Sequence, residues 1–351
     1  MRLSRLKTEN FRNLAAVDFV PSPGVNVIYG ENAQGKTNLI EAIYLLTGQR
    51  SFRAAKDGDY PRFGSGVARI EAEFTCRSRE KTAALAIGSK KAAWQNGVEC
   101  TPGELTGEFL AVVFSPGELA LIQEGPAERR AFLDGAISQV MPRYMATLGT
   151  MSRILTQRNT LITDMIKSGN TAVMEPLLET WDRSLARAAY SVCHARARFI
   201  RRLAPPAAEI YQNICRRTDQ PFGLFYQPSI AAPQGADWAD IPPAEGEAHI
   251  QRALAAARQE DYKNYCTTLG PHRDNMEVTV AGISARSFGS QGQQRSCALA
   301  LKLAQCRVME EILGEAPIIL LDDVLSELDR TRRDYFLHGE HPGQVFITCC
   351  D

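Results

Sequence analysis

The sequence predicts a mixed α/β fold in which a sheet-rich lobe gives way to a long helical stretch and then returns to strands. Three observations carry this reading. A short β-branched run at 25–29 leads through a glycine-rich loop into apolar residues at helical spacing over 38–46. Residues 126–213 hold long helical stretches with few breakers, and 317–323 is an apolar run that ends in two acids. At 351 residues the chain has room for two domains, or for one domain with a sizeable insertion.

Taken in order, strand-like runs at 14–19, 25–29, 67–74, 82–87 and 109–114 alternate with turn signals, which predicts the sheet-rich lobe. Helical periodicity then covers 144–167 and 173–203. In the second stretch Leu177, Trp181, Leu185, Ala188, Val192 and Phe199 fall near heptad or helical spacing. That predicts a helical arm or short antiparallel coiled coil with an arginine-rich surface. Residues 227–243 contain Pro and Gly, close on Pro242-Pro243, and read as a surface excursion. A further helix over 247–269 and a strand at 276–280 follow, with no internal repeat or low-complexity tract in the sequence.

Composition excludes little but narrows the partners. Apolar content of 44% and charge of 23% are ordinary for a soluble globular protein. Lys plus Arg and Asp plus Glu both number 40, so any contact with nucleic acid must come from local patches rather than bulk basicity. The start, Met1-Arg2-Leu3-Ser4-Arg5-Leu6-Lys7, lacks the apolar segment of a signal peptide. No stretch approaches the roughly eighteen apolar residues of a membrane span, so a cytoplasmic protein without a membrane partner is expected. Nine cysteines are scattered without a C-x-x-C pair, and the adjacent Cys349-Cys350 is no ordinary disulfide frame. They read as reduced and mostly structural. His338 and His341 have no Cys or His partners and read as a surface turn rather than a metal site.

Gly30-Glu31-Asn32-Ala33-Gln34-Gly35-Lys36-Thr37 fits G-x-x-x-x-G-K-[ST] at every position. Such a loop turns its backbone N–H groups onto phosphate oxygens, and the helix behind it aims the positive end of its dipole at the same anion. Gly30 and Gly35 permit the turn. Lys36 is expected to reach the β- and γ-phosphates, and the Thr37 hydroxyl to ligate Mg²⁺. A chance glycine-rich turn would satisfy the pattern too, but here strand, loop and helix arrive in the required order.

Pro317-Ile318-Ile319-Leu320-Leu321-Asp322-Asp323 has the form of a Walker B strand. A buried parallel strand reads as a continuous apolar run, and an acid at its carboxyl end points into the crevice where ligands bind. Asp322 is expected to hold Mg²⁺ through water, and Asp323 to stand where a general base orients the attacking water. The two motifs are nearly the whole chain apart, unlike those of simple P-loop kinases and GTPases. No N-K-x-D guanine-reading motif is present, so ATP is the expected nucleotide.

Between the motifs, Ser287-Phe288-Gly289-Ser290-Gln291-Gly292-Gln293-Gln294-Arg295 leads into a helix over 296–313. Ser290-Gln291-Gly292-Gln293 resembles the S-G-G-Q core of an ABC signature, with Gln291 in place of the first glycine. An ordinary N-capped helix start is the alternative. Ser326-Glu327-Leu328-Asp329 resembles a D-loop.

Six segments in order carry a resemblance over the whole chain: Asn10-Phe11-Arg12-Asn13-Leu14; Gly30 to Thr37 with Asn38-Leu39-Ile40-Glu41-Ala42-Ile43; Arg129-Arg130 ahead of Phe132-Leu133-Asp134; Leu269-Gly270-Pro271-His272-Arg273-Asp274; Gly292-Gln293-Gln294-Arg295; and Leu321-Asp322-Asp323-Val324 to Asp329. The chain resembles the RecF family of bacterial recombination mediators, relatives of the ABC, SMC and Rad50 ATPases. The resemblance implies an α/β, ABC-type P-loop ATPase head built from both chain ends, 1–122 and 268–351, with a mainly helical arm lobe, 123–267, inserted between them. It implies that two protomers close head to tail around ATP. Ser290, Gly292, Gln293 and Asp329 of one would face the nucleotide held by Lys36 of the other, and slow hydrolysis would release the dimer. It also implies binding to single-stranded, double-stranded and gapped DNA, work with RecO and RecR at gaps and stalled forks, and indirect help in loading RecA, with consequences for replication and the SOS response.

Three segments depart from the wider pattern. Asp323 stands where most ABC ATPases carry Glu, although RecF-like chains commonly have Asp there, which predicts slow hydrolysis. Ser115-Pro116-Gly117-Glu118-Leu119 has Gly where the family often has an acid. The strand 345–347 runs into Thr348-Cys349-Cys350-Asp351 without a switch histidine, so no γ-phosphate sensor is assigned there. Arg50, Arg53 and Lys56, just beyond the P-loop helix, are candidate DNA phosphate contacts, with solvated surface charge as the alternative. Arg196, Arg198, Arg201 and Arg202 on the arm are a second candidate, for which a charged helix face is the usual meaning. Two other readings are a transporter ATPase subunit, against which the helical insertion and Gln291 speak, and a structural clamp that uses ATP only to dimerise.

Overall fold

The computed structural model describes residues 1–53, 56–216, 219–324, 333 and 343–349. The N-terminal lobe opens with β1 (Arg2–Phe11), β2 (Leu14–Phe19), β3 (Val25–Tyr29) and helix α1 (Lys36–Leu45). Strands β4 (Ala68–Cys76), β5 (Arg79–Ile87), β6 (Lys91–Gln95) and β7 (Val98–Cys100) join β1 and β2 in an antiparallel sheet of order β2-β1-β4-β5-β6-β7. On β4, Ala68, Ile70, Ala72 and Phe74 point inward while Arg69, Glu71 and Glu73 face water, the period-2 alternation of a one-sided sheet.

After β8 (Ala111–Phe114) the chain becomes helical: α2 (Ala120–Gln123), α3 (Pro126–Val140), α4 (Pro142–Ser168) and α5 (Thr171–Cys215). Then come β9 (Phe222–Gln227), α6 (Pro243–Ala256), α7 (Arg258–Asn264), β10 (Asn275–Val280), β11 (Ile283–Ser284), α8 (Ala285–Phe288), α9 (Gln291–Leu313), β12 (Ile318–Asp322) and β13 (Val345–Cys349). The helix expected over 247–269 is thus two, broken at Ala257 and ended by Tyr265 in the left-handed region.

The two ends of the chain meet in a parallel sheet of order β3-β13-β12-β8. Its successive side chains serve two cores. Ala111, Val113, Ile318, Leu320 and Phe346 pack with α1 and the antiparallel sheet. Val112, Phe114, Ile319, Leu321, Val345 and Ile347 pack with α3, α5 and α9. Burial on both faces explains why β8 and β12 read as unbroken apolar runs. It also puts α1 and α9 on opposite faces of the same sheet.

Helices α4 and α5 form an antiparallel arm, turned by Gly169 in the left-handed region. Of the positions expected on the α5 seam, Leu185, Ala188, Val192 and Phe199 are buried, while at the N-terminal end the seam runs one residue later than expected, through Leu178 and Asp182 rather than Leu177 and Trp181. Leu177 is 52% exposed, whereas Leu178, Asp182, Leu185, Ala189, Val192, Arg196, Phe199 and Leu203 are all buried at alternating spacings of four and three. Two charged seam positions hid this stripe from the apolar pattern. Arg158 of α4, fully buried, compensates one of them by donating to Asp182 at 2.8 Å, and it also reaches Asp261 of α7 at 2.7 Å. α5 also continues past Pro205-Pro206 to Cys215, because Leu203, Ala207, Ile210, Tyr211 and Ile214 are buried there and offset the backbone bonds the prolines remove.

The segment 227–243 is not the surface excursion its Pro and Gly content suggests. Ile230, Trp238, Ala239 and Ile241 are buried, Trp238 Nε1 donates to Ile230 O at 3.0 Å, and Tyr190 Oη of α5 donates to Ile241 O at 2.7 Å. The eight described cysteines are free thiols. Among the described residues, no helix is long and apolar enough to cross a membrane.

Candidate nucleotide-binding site

The glycine-rich loop stands between β3 and α1, at the carboxyl end of the parallel sheet. Gly35 caps α1 with φ 98°. A Cβ there would lie 2.6 Å from Asn13 Oδ1 and 2.8 Å from Leu14 Cδ2, so the β1–β2 turn occupies the space a side chain would need. Asn13 also braces the loop: its Nδ2 donates to Ala33 O at 2.9 Å, and its Oδ1 accepts from Asn38 Nδ2 at 2.7 Å. Gly35→Ala is therefore expected to destabilise the fold by about 1–3 kcal/mol and to weaken nucleotide binding, as thermal unfolding with and without ATP would register.

Lys36 Nζ donates to Gly30 O at 2.5 Å and Glu31 O at 2.8 Å, lying across its own loop. Phosphate oxygens would replace these carbonyls. Behind the loop, Glu41 of α1 is fully buried and held by Arg12 at 2.8 and 3.0 Å, by Ser51 Oγ at 2.5 Å and by Arg53 at 3.4 Å. The Arg12–Glu41 pair fixes α1 against the β1–β2 turn. The pair is not legible in the sequence, because a contact across 29 positions leaves no local signal.

Asp322 ends β12 opposite Thr348 of β13. Its Oδ1 accepts from Thr37 Oγ1 at 2.9 Å and from Thr348 Oγ1 at 3.0 Å. Burial pushes its carboxyl pKa up, while the two hydroxyls act in the lowering direction. Asp323 adopts φ 54°, and its N–H donates to Thr348 Oγ1 at 2.9 Å. Thr348, which sequence reading named only as part of a segment lacking a switch histidine, thus ties the two acids together.

A hydroxyl and a buried carboxylate converging beside a phosphate loop suit Mg²⁺, which takes few protein oxygens and completes its shell with water and phosphate. The sign of the pH dependence follows. Folding raises the Asp322 pKa, so this group stabilises the nucleotide-free protein below its unfolded pKa and that stability is lost as pH rises through the folded pKa. Bound Mg²⁺ favours the carboxylate instead. The rise in unfolding temperature produced by Mg²⁺–ATP should therefore shrink as pH is lowered through the raised Asp322 pKa, and an increment that ignores pH would contradict this assignment.

Ser290 caps α9 and forms a capping box with Gln293: Ser290 Oγ accepts from Gln293 N at 3.3 Å, and Gln293 Oε1 accepts from Ser290 N at 2.9 Å. Gln293 Nε2 donates to Gln220 at 3.1 Å, and Gln294 Nε2 to Ala285 O at 3.0 Å. The ordinary capped-helix geometry is thus present, with Gly292 in the first turn. The structure brings Gly30 to Thr37, Asp322 and Asp323 together. It sets Ser290, Gly292 and Gln293 on a helix across the sheet from α1. Asp329 with Ser326, Glu327 and Leu328, and likewise His338, His341, Cys350 and Asp351, lie outside the described residues.

Of the candidate DNA contacts, Arg50 and Lys56 are exposed, while Arg53 is turned back onto α1, donating to Asn38 Oδ1 at 2.6 Å. The arm arginines do not form one patch. Arg196 is buried between Asp134, at 2.9 and 3.0 Å, and Asp274, at 3.2 Å, and Arg201 is bonded to Asp240 at 2.8 Å. Arg198 and Arg202 remain exposed.

A phosphate-type loop and an acid-tipped strand from opposite ends of one chain, joined in a parallel sheet that carries an inserted helical arm, define an ABC-type P-loop head. The family model described as RecF/RecN/SMC N terminal domain matches residues 2–351. The chain is 36% identical to the DNA replication and repair protein RecF of Acetivibrio thermocellus, covering 100% of this chain and 94% of that protein. It is 38% identical to the RecF of Symbiobacterium thermophilum, covering 100% and 92%. A solved structure of the recombination mediator protein RecF-ATP in the RecFOR pathway superposes with a TM-score of 0.91 at 32% identity, covering 100% of this chain and 92% of that one. An Smc head bound to the C-winged helix domain of ScpA shares the fold, with a TM-score of 0.55 at 16% identity over 100% and 90% of the two chains. The chain belongs to the RecF family.

Proposed function

We propose that this protein is an ATP-binding DNA repair and replication protein whose two heads close around nucleotide on DNA, hydrolyse it slowly and then part. The observation that carries the reading is the 2.9 Å bond from Thr37 Oγ1 to Asp322 Oδ1, which joins the loop to the acid strand across 285 positions. The RecF-ATP neighbour supports ATP as the nucleotide.

In this reading the loop from Gly30 to Thr37 receives the phosphates, with Glu31, Asn32, Ala33 and Gln34 supplying backbone around them and Lys36 neutralising the β- and γ-oxygens. Mg²⁺, held by Thr37 and through water by Asp322, would supply charge neutralisation between the phosphates. Asp323 orients and deprotonates the attacking water, with Thr348 fixing its backbone. Ser290, Gly292 and Gln293, standing across the sheet from α1, serve the nucleotide of a second protomer, and Asp329 belongs to the same composite site. Residues 1–122 and 268–351 act as the head and 123–267 as the arm.

DNA in single-stranded, double-stranded or gapped form lies across the closed dimer, with Arg50 and Lys56 on phosphates and Arg53 mainly holding α1. By family membership RecR and RecO are its partners and RecA loading its outcome, in the cytoplasm. Sedimentation of wild type and Lys36→Arg, with and without Mg²⁺–ATP and short gapped DNA, tests this. The reading requires that ATP turn wild-type monomer into dimer and tighten DNA binding while the variant does not respond; indifference of wild type to ATP refutes it.

A further inference from the structure

Beyond the basic loop, Phe63 is, among the described residues, the large apolar side chain most fully presented to water, at 105% exposure. It is not on a loose end. Residues 62–65 form a turn in which Ser65 N donates to Arg62 O at 2.8 Å, with Gly64 at φ 83°, the type II requirement for glycine at the third position. The stem is pinned to β1 by Arg62 N donating to Asn10 O at 2.7 Å and by Arg12 N donating to Tyr60 O at 2.7 Å, and Phe11 stacks on Tyr60 at 5.9 Å. Fixed main chain holds the ring out.

The turn is also linked to α1, the helix behind the nucleotide loop. Arg12 lies 5.0 Å over the Tyr60 ring and binds Glu41, the same carboxylate that Arg53 reaches. Over residues 50–62, Arg50, Arg53, Lys56 and Arg62 stand against Asp57 and Asp59, a net charge of plus two. Asp59 Oδ2 is partly engaged by Lys56 N at 2.9 Å.

We propose that Phe63 is a stacking platform for an unpaired base of single-stranded DNA, with Arg62, Arg50 and Lys56 on the flanking phosphates. This rests on the DNA-binding reading above and adds to it the form of DNA and the residue that senses it. Bases inside a duplex already have stacking partners, so a rigidly held, isolated ring gains a contact only from a single strand or the single-stranded side of a gap. Such stacking is tolerant of sequence, because every base has a π-face.

The test uses the full chain with Mg²⁺–ATP. Phe63→Ala is expected to weaken binding of an oligo-dT strand roughly tenfold while leaving duplex binding, ATP hydrolysis and unfolding temperature unchanged. Phe63→Trp is expected to restore binding and to show fluorescence quenching by oligo-dT that wild type, with Trp94, Trp181 and Trp238 alone, does not show. An abasic strand of equal length should not quench. Wild-type affinity in Phe63→Ala with no quenching in Phe63→Trp overturns the inference. Failure of wild type to bind any DNA overturns the DNA-binding reading and the inference with it.

Discussion

Lys36→Ala is expected to lower ATP hydrolysis by about a hundred- to a thousandfold and to remove ATP-dependent dimerisation. The ammonium stands at the mouth of the loop, bonded to Gly30 O at 2.5 Å and Glu31 O at 2.8 Å. No other side chain on the loop carries positive charge, since Glu31, Asn32, Ala33, Gln34 and Thr37 have none to offer. Without it the γ-phosphate loses its only cationic partner from the loop, in a site where preorganised charge is worth about 3–4 kcal/mol to the transition state. The ground-state fold should survive, because Asn13 braces the loop through Ala33 and Asn38 independently of Lys36. Single-turnover hydrolysis, sedimentation with Mg²⁺–ATP and an unfolding midpoint near wild type check the three parts separately. Near-wild-type turnover would remove Lys36 from the chemistry.

Asp323→Asn has a different expected signature: hydrolysis down by about a hundred- to ten-thousandfold, with ATP binding retained and the dimer persisting. The backbone bond from Asp323 N to Thr348 Oγ1 does not depend on the side chain, so position 323 keeps its geometry when the charge is removed. Asp323 also acts to raise the Asp322 pKa, so its neutralisation makes Asp322 more readily ionised and leaves metal binding intact. Tight nucleotide binding combined with lost turnover is therefore the mark of a general base, whereas loss of both would make Asp323 a binding residue. The same variant separates an ATPase from a clamp. If it still supports repair in cells lacking the wild-type protein, hydrolysis is dispensable and ATP serves only to close the dimer.

The site was readable where its chemistry is written in consecutive residues. A loop that must turn its N–H groups inward needs Gly30, Gly35 and the Lys-Thr pair in fixed order, and a parallel strand buried on both faces must be apolar until its acid tip. β3 and β12 were accordingly found close to their observed bounds. What failed depended on distant contacts. β1 is not legible because Arg2, Arg5, Lys7 and Glu9 fill its outer face and the buried Leu3, Leu6, Thr8 and Phe11 are spaced irregularly, with a register shift between Leu3 and Arg5, yet pairing with β2 and β4 on both edges holds it. The α5 seam is legible at Leu185, Ala188, Val192 and Phe199 but not at Asp182 and Arg196, which occupy buried positions that only partners elsewhere, Arg158 for one and Asp134 with Asp274 for the other, make tolerable. Arg196 reads in the sequence as a surface charge because sequence records charge and not the carboxylates, Asp134 and Asp274, that face it in the core. Thr348 went unassigned for a related reason: its value lies in bonding to two residues on the neighbouring strand, and nothing local distinguishes it from any other threonine at a strand end.

In the reading proposed above each nucleotide site is completed by a second copy of the chain, and mixing two crippled variants separates that arrangement from a self-sufficient site. Lys36→Arg disables the phosphate loop, and Ser290→Arg blocks the helix start offered to the partner. In a head-to-tail dimer, a mixed pair rebuilds one intact site from the good loop of one protomer and the good helix of the other. Each variant alone should be inactive and the mixture should recover ATP hydrolysis, with a rate that rises more steeply than linearly with protein concentration. A mixture as inactive as its components, or a Ser290→Arg protein that hydrolyses ATP at the wild-type rate in proportion to its concentration, would contradict the composite site.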